Sequence, residues 1–323
     1  MSERIIHAEG VSWLLEPPAI PLEKLEHDLL DSSGVELWVA RLDLVDPLIS
    51  GNKWFKLKYN LIQACEQDAS HIVSFGGAFS NHLHALAAAC YRLKLKSTGV
   101  LRGEIVLPLN PTLSECQAWG MNFYPVTRAQ YREKTSPEFI QRLRDRFGQF
   151  YLAPEGGSNV LAVKGMSEVA LDVHGKLDRC DYLCCAVGSG GTLAGLVAGS
   201  SASTKCIGYS ALKGANYLKH DIDALINQYQ SLSGEVSLPD YSIDHSYHFG
   251  GFAKVKEELL TFIEWFEGQF DIPLEQIYTA KMFYGIFDQI KAGYFKNGQR
   301  VVAVHTGGLQ GRRGIERALG SRQ

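Results

Sequence analysis

The chain has 323 residues, of which 46% are hydrophobic, and sets 32 Lys and Arg against 35 Asp and Glu for a formal charge of −3. That length and apolar content fill one large or two moderate domains of a soluble globular protein, and the charge balance leaves no cationic excess for nucleic acid or an anionic membrane. Seven cysteines, odd in number and without a C-x-x-C pair, argue against a disulfide framework or a zinc site and for reduced cytoplasmic thiols.

The segment Met1 to His7 has an acid near its start and no apolar run, unlike a secretory signal. From there β-rich apolar runs alternate with helical patterns, which predicts an α/β protein with largely parallel sheets. Val35 to Leu44 reads as a strand, Lys53 to Cys65 as a helix, His71 to Phe75 as a strand and Asn81 to Leu93 as a helix. Thr98 to Leu101, Asn122 to Tyr124 and Phe150 to Leu152 read as strands, with helices at Pro111 to Trp119 and Pro137 to Phe147. A helix from Leu161 to His174 leads to a buried strand, Tyr182 to Val187, then a glycine loop and its helix. Cys206 to Ser210 is a strand, Ala215 to Tyr229, Lys254 to Phe266 and Ala280 to Lys291 are helices, and Arg300 to Val304 is a final strand before another helix. The polar stretch Ser231 to Ser246 reads as a surface loop. From Tyr182 to Thr204 no residue is charged, and Gly191, Gly195 and Gly199 share a four-residue spacing; the glycine interruption favours strand, loop and close-packed helix over a membrane span.

Two motifs stand out early: Gly51-Asn52-Lys53 with Lys56 and Lys58, and Gly76-Gly77 leading to Ser80-Asn81-His82. An amine at a helix start and a glycine loop opening on hydroxyl, amide and imidazole suit a carbonyl cofactor, although lysines on a solvated helix and an ordinary N-cap explain each motif separately. The loop Gly188-Ser189-Gly190-Gly191-Thr192 follows a strand and opens a helix, so its amides and the helix dipole favour a phosphate. Leu193 stands where a dinucleotide fingerprint needs its third glycine, and the lysine of a P-loop is missing, which leaves a monophosphate cradle or a packing turn. His82 and His84 fall on different helix faces, and His245 and His248 have no third partner in the sequence, so no metal is expected. Tyr278, at a helix start, is either a general acid or base or a rim aromatic.

Taken in order, these motifs with Pro154-Glu155-Gly156-Gly157-Ser158-Asn159, Tyr278-Thr279 and His305-Thr306-Gly307-Gly308 resemble the 1-aminocyclopropane-1-carboxylate deaminase and D-cysteine desulfhydrase family over nearly the whole chain. The resemblance implies the tryptophan synthase β-like fold of pyridoxal-phosphate enzymes, with two open, mostly parallel sheets flanked by helices. A small domain, 58–157, would be inserted in a larger one formed by 1–57 and 158–323, with pyridoxal 5'-phosphate between them. It implies that Lys53 forms the Schiff base and Lys56 helps bind the phosphate, which Gly188, Ser189, Gly190, Gly191 and Thr192 cradle. Asn81 would bond the 3′-oxygen of the pyridine ring, and Ser80 and Tyr278 would act beside the substrate. Thr279 would face the ring nitrogen, Thr306 would join the cofactor site, and His82 and Phe252 would lie by the substrate.

Ring-opening deaminases of this family carry a glutamate where Thr279 stands, and a hydroxyl leaves a weaker electron sink. That suffices when a good leaving group departs from the β-carbon but suits carbon–carbon cleavage poorly. One departure is Phe252, where the family's second active-site tyrosine falls. The implied activity is a lyase that removes a β-substituent and ammonia from a small amino acid, D-cysteine first, to give pyruvate and, from cysteine, sulfide. Alternatives are 1-aminocyclopropane-1-carboxylate deaminase, an amino-acid racemase, and a weakly catalytic cofactor-binding protein. A cytoplasmic homodimer is also implied.

Overall fold

A computed structural model of the protein describes residues 11–234 and 237–313. The described chain divides into two compact units, one comprising Ala19–Lys56 and Ser158–Leu309, the other Leu57–Gly157 with residues 11–18 and 310–313. Residues 11–18 and 310–313 therefore go with the smaller unit rather than the larger. The contacts explain why: the Arg92 guanidinium lies 4.5 Å over the Trp13 ring, and Arg313 forks onto Glu115 at 2.7 and 2.6 Å.

In the larger unit six strands form one sheet: β1 (Leu22–Lys24), β2 (Glu36–Arg41), β7 (Tyr182–Val187), β8 (Lys205–Ser210), β9 (Tyr241–Asp244) and β10 (Arg300–His305). Their spatial order is β1-β2-β10-β7-β8-β9, and only the β1–β2 pair is antiparallel. The chain runs outward from β7 through β8 to β9 on one side, while β10 and β2 lie on the other. The carboxyl ends of β7 and β10 therefore flank the switch point at which open parallel sheets bind ligands. All six residues of β7 are buried, as expected for a central strand covered on both faces. Alternate residues Tyr182, Cys184 and Ala186 join a core with Phe266, Phe283 and Phe287.

The smaller unit holds β3 (His71–Gly76), β4 (Lys96–Arg102), β5 (Met121–Val126) and β6 (Tyr151–Leu152), parallel throughout and ordered β5-β4-β3-β6. Its helices start and stop where local chemistry directs. Ser80 caps helix Asn81–Leu93 by accepting from the Leu83 amide, and Lys94 ends it in the left-handed region. Asn110 with Pro111 and Ser136 with Pro137 open the next two long helices in the same way.

The uncharged stretch from Tyr182 forms β7, a glycine turn and helix Gly191–Gly199. A Cβ at Gly195 would meet the Met166 Cβ at 2.2 Å, and one at Gly199 the Ser167 carbonyl oxygen at 2.3 Å. The four-residue glycine spacing is thus the face that packs on helix Val160–Lys176. Among the described residues no helix is long and apolar enough to cross a membrane. All seven cysteines are buried and unbridged, and burial pushes the Cys116, Cys180 and Cys206 thiols up to about 12.

Two readings change. The polar stretch Ser231 to Ser246 is not all loop: Tyr241–Asp244 pairs with β8 as a half-exposed edge strand, where alternation with a second apolar face is not required. The strand expected over Val35 to Leu44 ends at Arg41, whose buried guanidinium pairs with Glu23 and Asp43 while Leu42–Leu44 turns into a 3-10 helix. After Gly308 the described chain gives a 3-10 turn, Leu309–Gly311; the helix expected beyond it and the reading of Met1 to His7 lie outside the described residues. Three short elements, Leu22–Lys24, Asp28–Ser33 and Arg128–Arg132, carry too little periodicity to be read beforehand.

Candidate active site

The larger unit concentrates most of the predicted residues at the ends of β7 and β10. Lys53 sits in the first turn of helix Asn52–Glu66. Its Nζ donates to Asn52 Oδ1 at 2.7 Å, and Asn52 Nδ2 donates to Thr192 Oγ1 at 2.7 Å. Asn52 thus ties the lysine to the glycine turn after β7. The turn after β10 holds the same helix start, because the Asn52 amide donates to the Thr306 carbonyl oxygen at 3.2 Å. Gly51, at φ 71°, is required there: a Cβ would lie 2.0 Å from that oxygen.

Lys56 lies one turn from Lys53 and is 2% exposed. Its Nζ donates to Ser158 Oγ at 2.7 Å and Ser189 Oγ at 3.4 Å, hydroxyls themselves 2.6 Å apart. Burial lowers the affinity of both amines for protons. Lys53 falls to about 8 against the pull of the Glu275 charge, and Lys56 falls well below its ordinary value, with the Lys53 charge adding to burial. Helix Gly191–Gly199 begins with Gly190 in the left-handed region and without a side-chain cap, so its first amides and the positive end of its dipole face the Lys56 cluster unscreened.

Tyr278 stands at the N-cap of helix Thr279–Lys291. Its ring closes on the glycine turn, since a Cβ at Gly188 would meet Tyr278 Cε1 at 2.9 Å. Phe252, 46% exposed, meets the same ring edge-on with centroids 6.1 Å apart. Thr279 is fully buried, and its hydroxyl is engaged locally, accepting from the Glu275 amide at 2.7 Å and donating to the Glu275 carbonyl at 3.1 Å.

Two residues without a predicted role complete this end. Glu275 is 1% exposed and accepts from the Ile277 and Tyr278 amides at 2.8 and 2.9 Å; burial raises its carboxyl to about 7, although those amides, Lys281 and Lys53 favour the charge. Lys281, lowered to about 8 by burial, donates to the carbonyls of His248 and Gly251 at 3.0 and 2.9 Å. It pins the loop that carries Phe252. The sequence offers one signal for both, their nearness to Tyr278, three residues before it for Glu275 and three after it for Lys281. His305, next to Thr306, is fully buried, with Nδ1 3.2 Å from Asp43 Oδ1 and Nε2 2.8 Å from the Pro273 carbonyl.

The other predicted residues belong to the smaller unit. Ser80 Oγ caps its helix through the Leu83 amide at 3.2 Å. Asn81 Oδ1 accepts from Gln310 Nε2. His82 is buried, its Nε2 2.7 Å from Ser74 Oγ. No cluster of three or more metal-ligating side chains occurs among the described residues.

The donor set matches pyridoxal 5'-phosphate. Lys56 Nζ and the Ser158 and Ser189 hydroxyls converge as donors beside a helix N-terminus, a set suited to a phosphate. A Cβ at Gly191 would meet Ser158 Oγ at 2.8 Å and Lys56 Cε at 3.3 Å, so the bare backbone keeps open the space that a phosphate takes. Lys53 supplies an amine of lowered basicity within one turn of that space, and an aldehyde needs such an amine. Open parallel sheets with this lysine and glycine turn define a fold-type II pyridoxal-phosphate enzyme. The chain belongs to the pyridoxal-phosphate dependent enzyme family, whose profile matches residues 16–307, and within it to the group of 1-aminocyclopropane-1-carboxylate deaminases and D-cysteine desulfhydrases. It is 28% identical over 298 residues to the bifunctional D-cysteine desulfhydrase/1-aminocyclopropane-1-carboxylate deaminase of Arabidopsis thaliana, covering 86% of this chain and 74% of that one. It is 26% identical over 305 residues to the D-cysteine desulfhydrase of Serratia proteamaculans, covering 90% and 91%. A solved crystal structure of an ACC deaminase homologue superposes with a TM-score of 0.81 at 26% identity, covering 97% of this chain and 98% of the other.

Proposed function

We propose that the protein eliminates the β-substituent and the amino group of a small amino acid, with D-cysteine the first candidate: D-cysteine and water give pyruvate, ammonia and hydrogen sulfide. The cofactor, when bound, supplies an electron sink that makes the α-proton acidic. Lys53 is the residue that bonds the cofactor and moves the α-proton. At pH 7 an amine with a pKa of about 8 is neutral in about a tenth of molecules, against about one in 3,000 for an ordinary lysine. Asn52 orients Lys53. Lys56, Ser158, Ser189 and the amides of Gly190, Gly191 and Thr192 bind the phosphate. Asn81 donates to the 3′-oxygen of the pyridine ring, Ser80 and His82 serve the substrate side, and Thr306 serves the cofactor.

One observation carries elimination over ring opening: the residue following Tyr278 is a buried, neutral threonine whose proton is committed to the Glu275 carbonyl, and no carboxylate stands at that position to keep the ring nitrogen protonated. The Arabidopsis relative bears the names of both activities, so 1-aminocyclopropane-1-carboxylate is the second substrate to test. We further propose a cytoplasmic homodimer in which 58–157 is the inserted domain; the unbridged cysteines support a reducing compartment.

The test is a panel of D- and L-amino acids with the holoenzyme, read by pyruvate, sulfide and α-proton exchange. Sulfide and pyruvate from D-cysteine without ring opening are expected, with Phe252→Tyr raising turnover. Efficient ring opening by the unaltered protein, or proton exchange without pyruvate, overturns the reading. Lys53→Ala is expected to lose the visible cofactor absorbance that borohydride abolishes in the unaltered protein.

A further inference from the structure

The residue proposed to meet the ring oxygen, Asn81, is held by a second amide. Gln310 Nε2 donates to Asn81 Oδ1, and Gln310 Oε1 accepts from Thr112 Oγ1 at 2.7 Å. Thr112 is 2% exposed, in the first turn of helix Pro111–Ala118. One helical turn further along both helices a second rung runs parallel. His84, three residues after Asn81, meets Glu115 Oε2 at 2.7 Å, and Glu115, three residues after Thr112, accepts both amino groups of Arg313. Arg313 and His84 hold the Glu115 carboxyl down at about 2, so it stays ionised and paired with Arg313 above that pH. Residues 310–313 are therefore stitched between two helices at two points, which fixes where the Gln310 side chain reaches.

A primary amide has one accepting end and one donating end, and a neighbour that occupies one decides which is offered elsewhere. The Thr112 hydroxyl donates to the Gln310 oxygen, and the Gln310 amino group faces Asn81. That amino group occupies Asn81 Oδ1. Asn81 is left to present Nδ2, a donor, and the phenolic oxygen of the bound cofactor is an acceptor. We propose that Gln310 and Thr112 are positioning residues that set the orientation of the Asn81 amide, so that the enzyme offers the cofactor's ring oxygen a donor and not a second acceptor. This inference rests on the reading of Asn81 as a cofactor contact.

Gln310→Glu is the sharpest test. Its carboxylate can still accept from Thr112 but cannot donate to Asn81, so the Asn81 amide turns over and offers its oxygen. In the purified holoenzyme the visible absorption band is expected to shift, and the dissociation constant of pyridoxal 5'-phosphate to rise about ten-fold, the usual loss for one hydrogen bond to a charged group. Thr112→Val, which removes only the lock on Gln310, is expected to shift the band in the same direction and by less. Asn81→Ala provides the reference. If the positioning acts through Asn81, adding Gln310→Glu to Asn81→Ala changes neither band nor affinity further. A band shift in Asn81→Ala without one in Gln310→Glu overturns the inference and leaves the Asn81 reading standing. An equal effect of Gln310→Glu with and without Asn81 also overturns it, because the role is then merely structural. No change in Asn81→Ala itself overturns both.

Discussion

Glu275 offers a test of the site's electrostatics that needs neither substrate nor cofactor. Its carboxyl is raised from 4.5 to about 7 by burial, so the folded chain holds a proton that the unfolded chain releases. Between those values the native state binds more protons, and stability falls as pH rises. The contribution is fully present below pH 4.5 and is lost through pH 7. At 1.36 kcal/mol per tenfold step in acidity the loss is about 3 kcal/mol, and for a chain of this length, with about 2 cal/mol/K of unfolding entropy per residue, about 4 to 5 °C in Tm. Glu275→Gln removes the titration. One amide oxygen replaces two carboxylate oxygens, so the Ile277 and Tyr278 amides compete for it at a cost of about 1 kcal/mol that does not vary with pH. Scanning calorimetry of the cofactor-free protein and the variant at pH 4.5 and pH 7.5 separates the two effects. Relative to the unaltered protein, the variant is expected to gain about 4 to 5 °C between the two pH values, whatever its absolute stability. Parallel Tm profiles would show that burial does not raise the Glu275 carboxyl.

Three further outcomes follow from particular contacts. Gly191→Ala puts a Cβ 2.8 Å from Ser158 Oγ and is expected to weaken cofactor binding at least ten-fold by fluorescence titration while leaving the circular dichroism of the apoprotein unchanged; unaltered affinity would reduce the turn to a packing device. Gly195→Ala drives a Cβ to 2.2 Å from the Met166 Cβ and should lower stability by about 1–3 kcal/mol in thermal melts, with no loss at all refuting the close helix contact. Lys281→Met removes the bonds to the His248 and Gly251 carbonyls. Faster hydrogen exchange over 248–253, with KM affected more than kcat, is expected, and unchanged exchange would show that the loop holds itself.

The fold was legible where local rules and long-range order agree. Ser80, Asn110 and Ser136 cap helices whose starts the sequence announces, and Tyr182 to Val187 reads as a buried strand because every position is apolar. β9 was not legible: an edge strand with polar residues on a half-exposed face has the composition of a loop. In the site, glycines and the lysines beside them stand out because their spacing relates to backbone geometry. The roles of Asn52, Lys281 and Gln310 do not, because each acts through a partner far away in sequence. Asn52 meets Thr192 across 140 positions and Gln310 meets Asn81 across 229, and no local pattern encodes such a pairing. Thr279 was legible as a residue type, but its engagement with Glu275 depends on the turn that closes the helix start.

The seven sequestered thiols give the protein a built-in clock. Because each is buried, and burial holds those on the central strands in the protonated form, an alkylating reagent meets them as thiolates only when the polypeptide opens. Thiol labelling therefore counts excursions from the native state one molecule at a time, and its site-by-site rates would report which of the two compact units opens first: Cys65, Cys90 and Cys116 for the smaller, Cys180, Cys184, Cys185 and Cys206 for the larger.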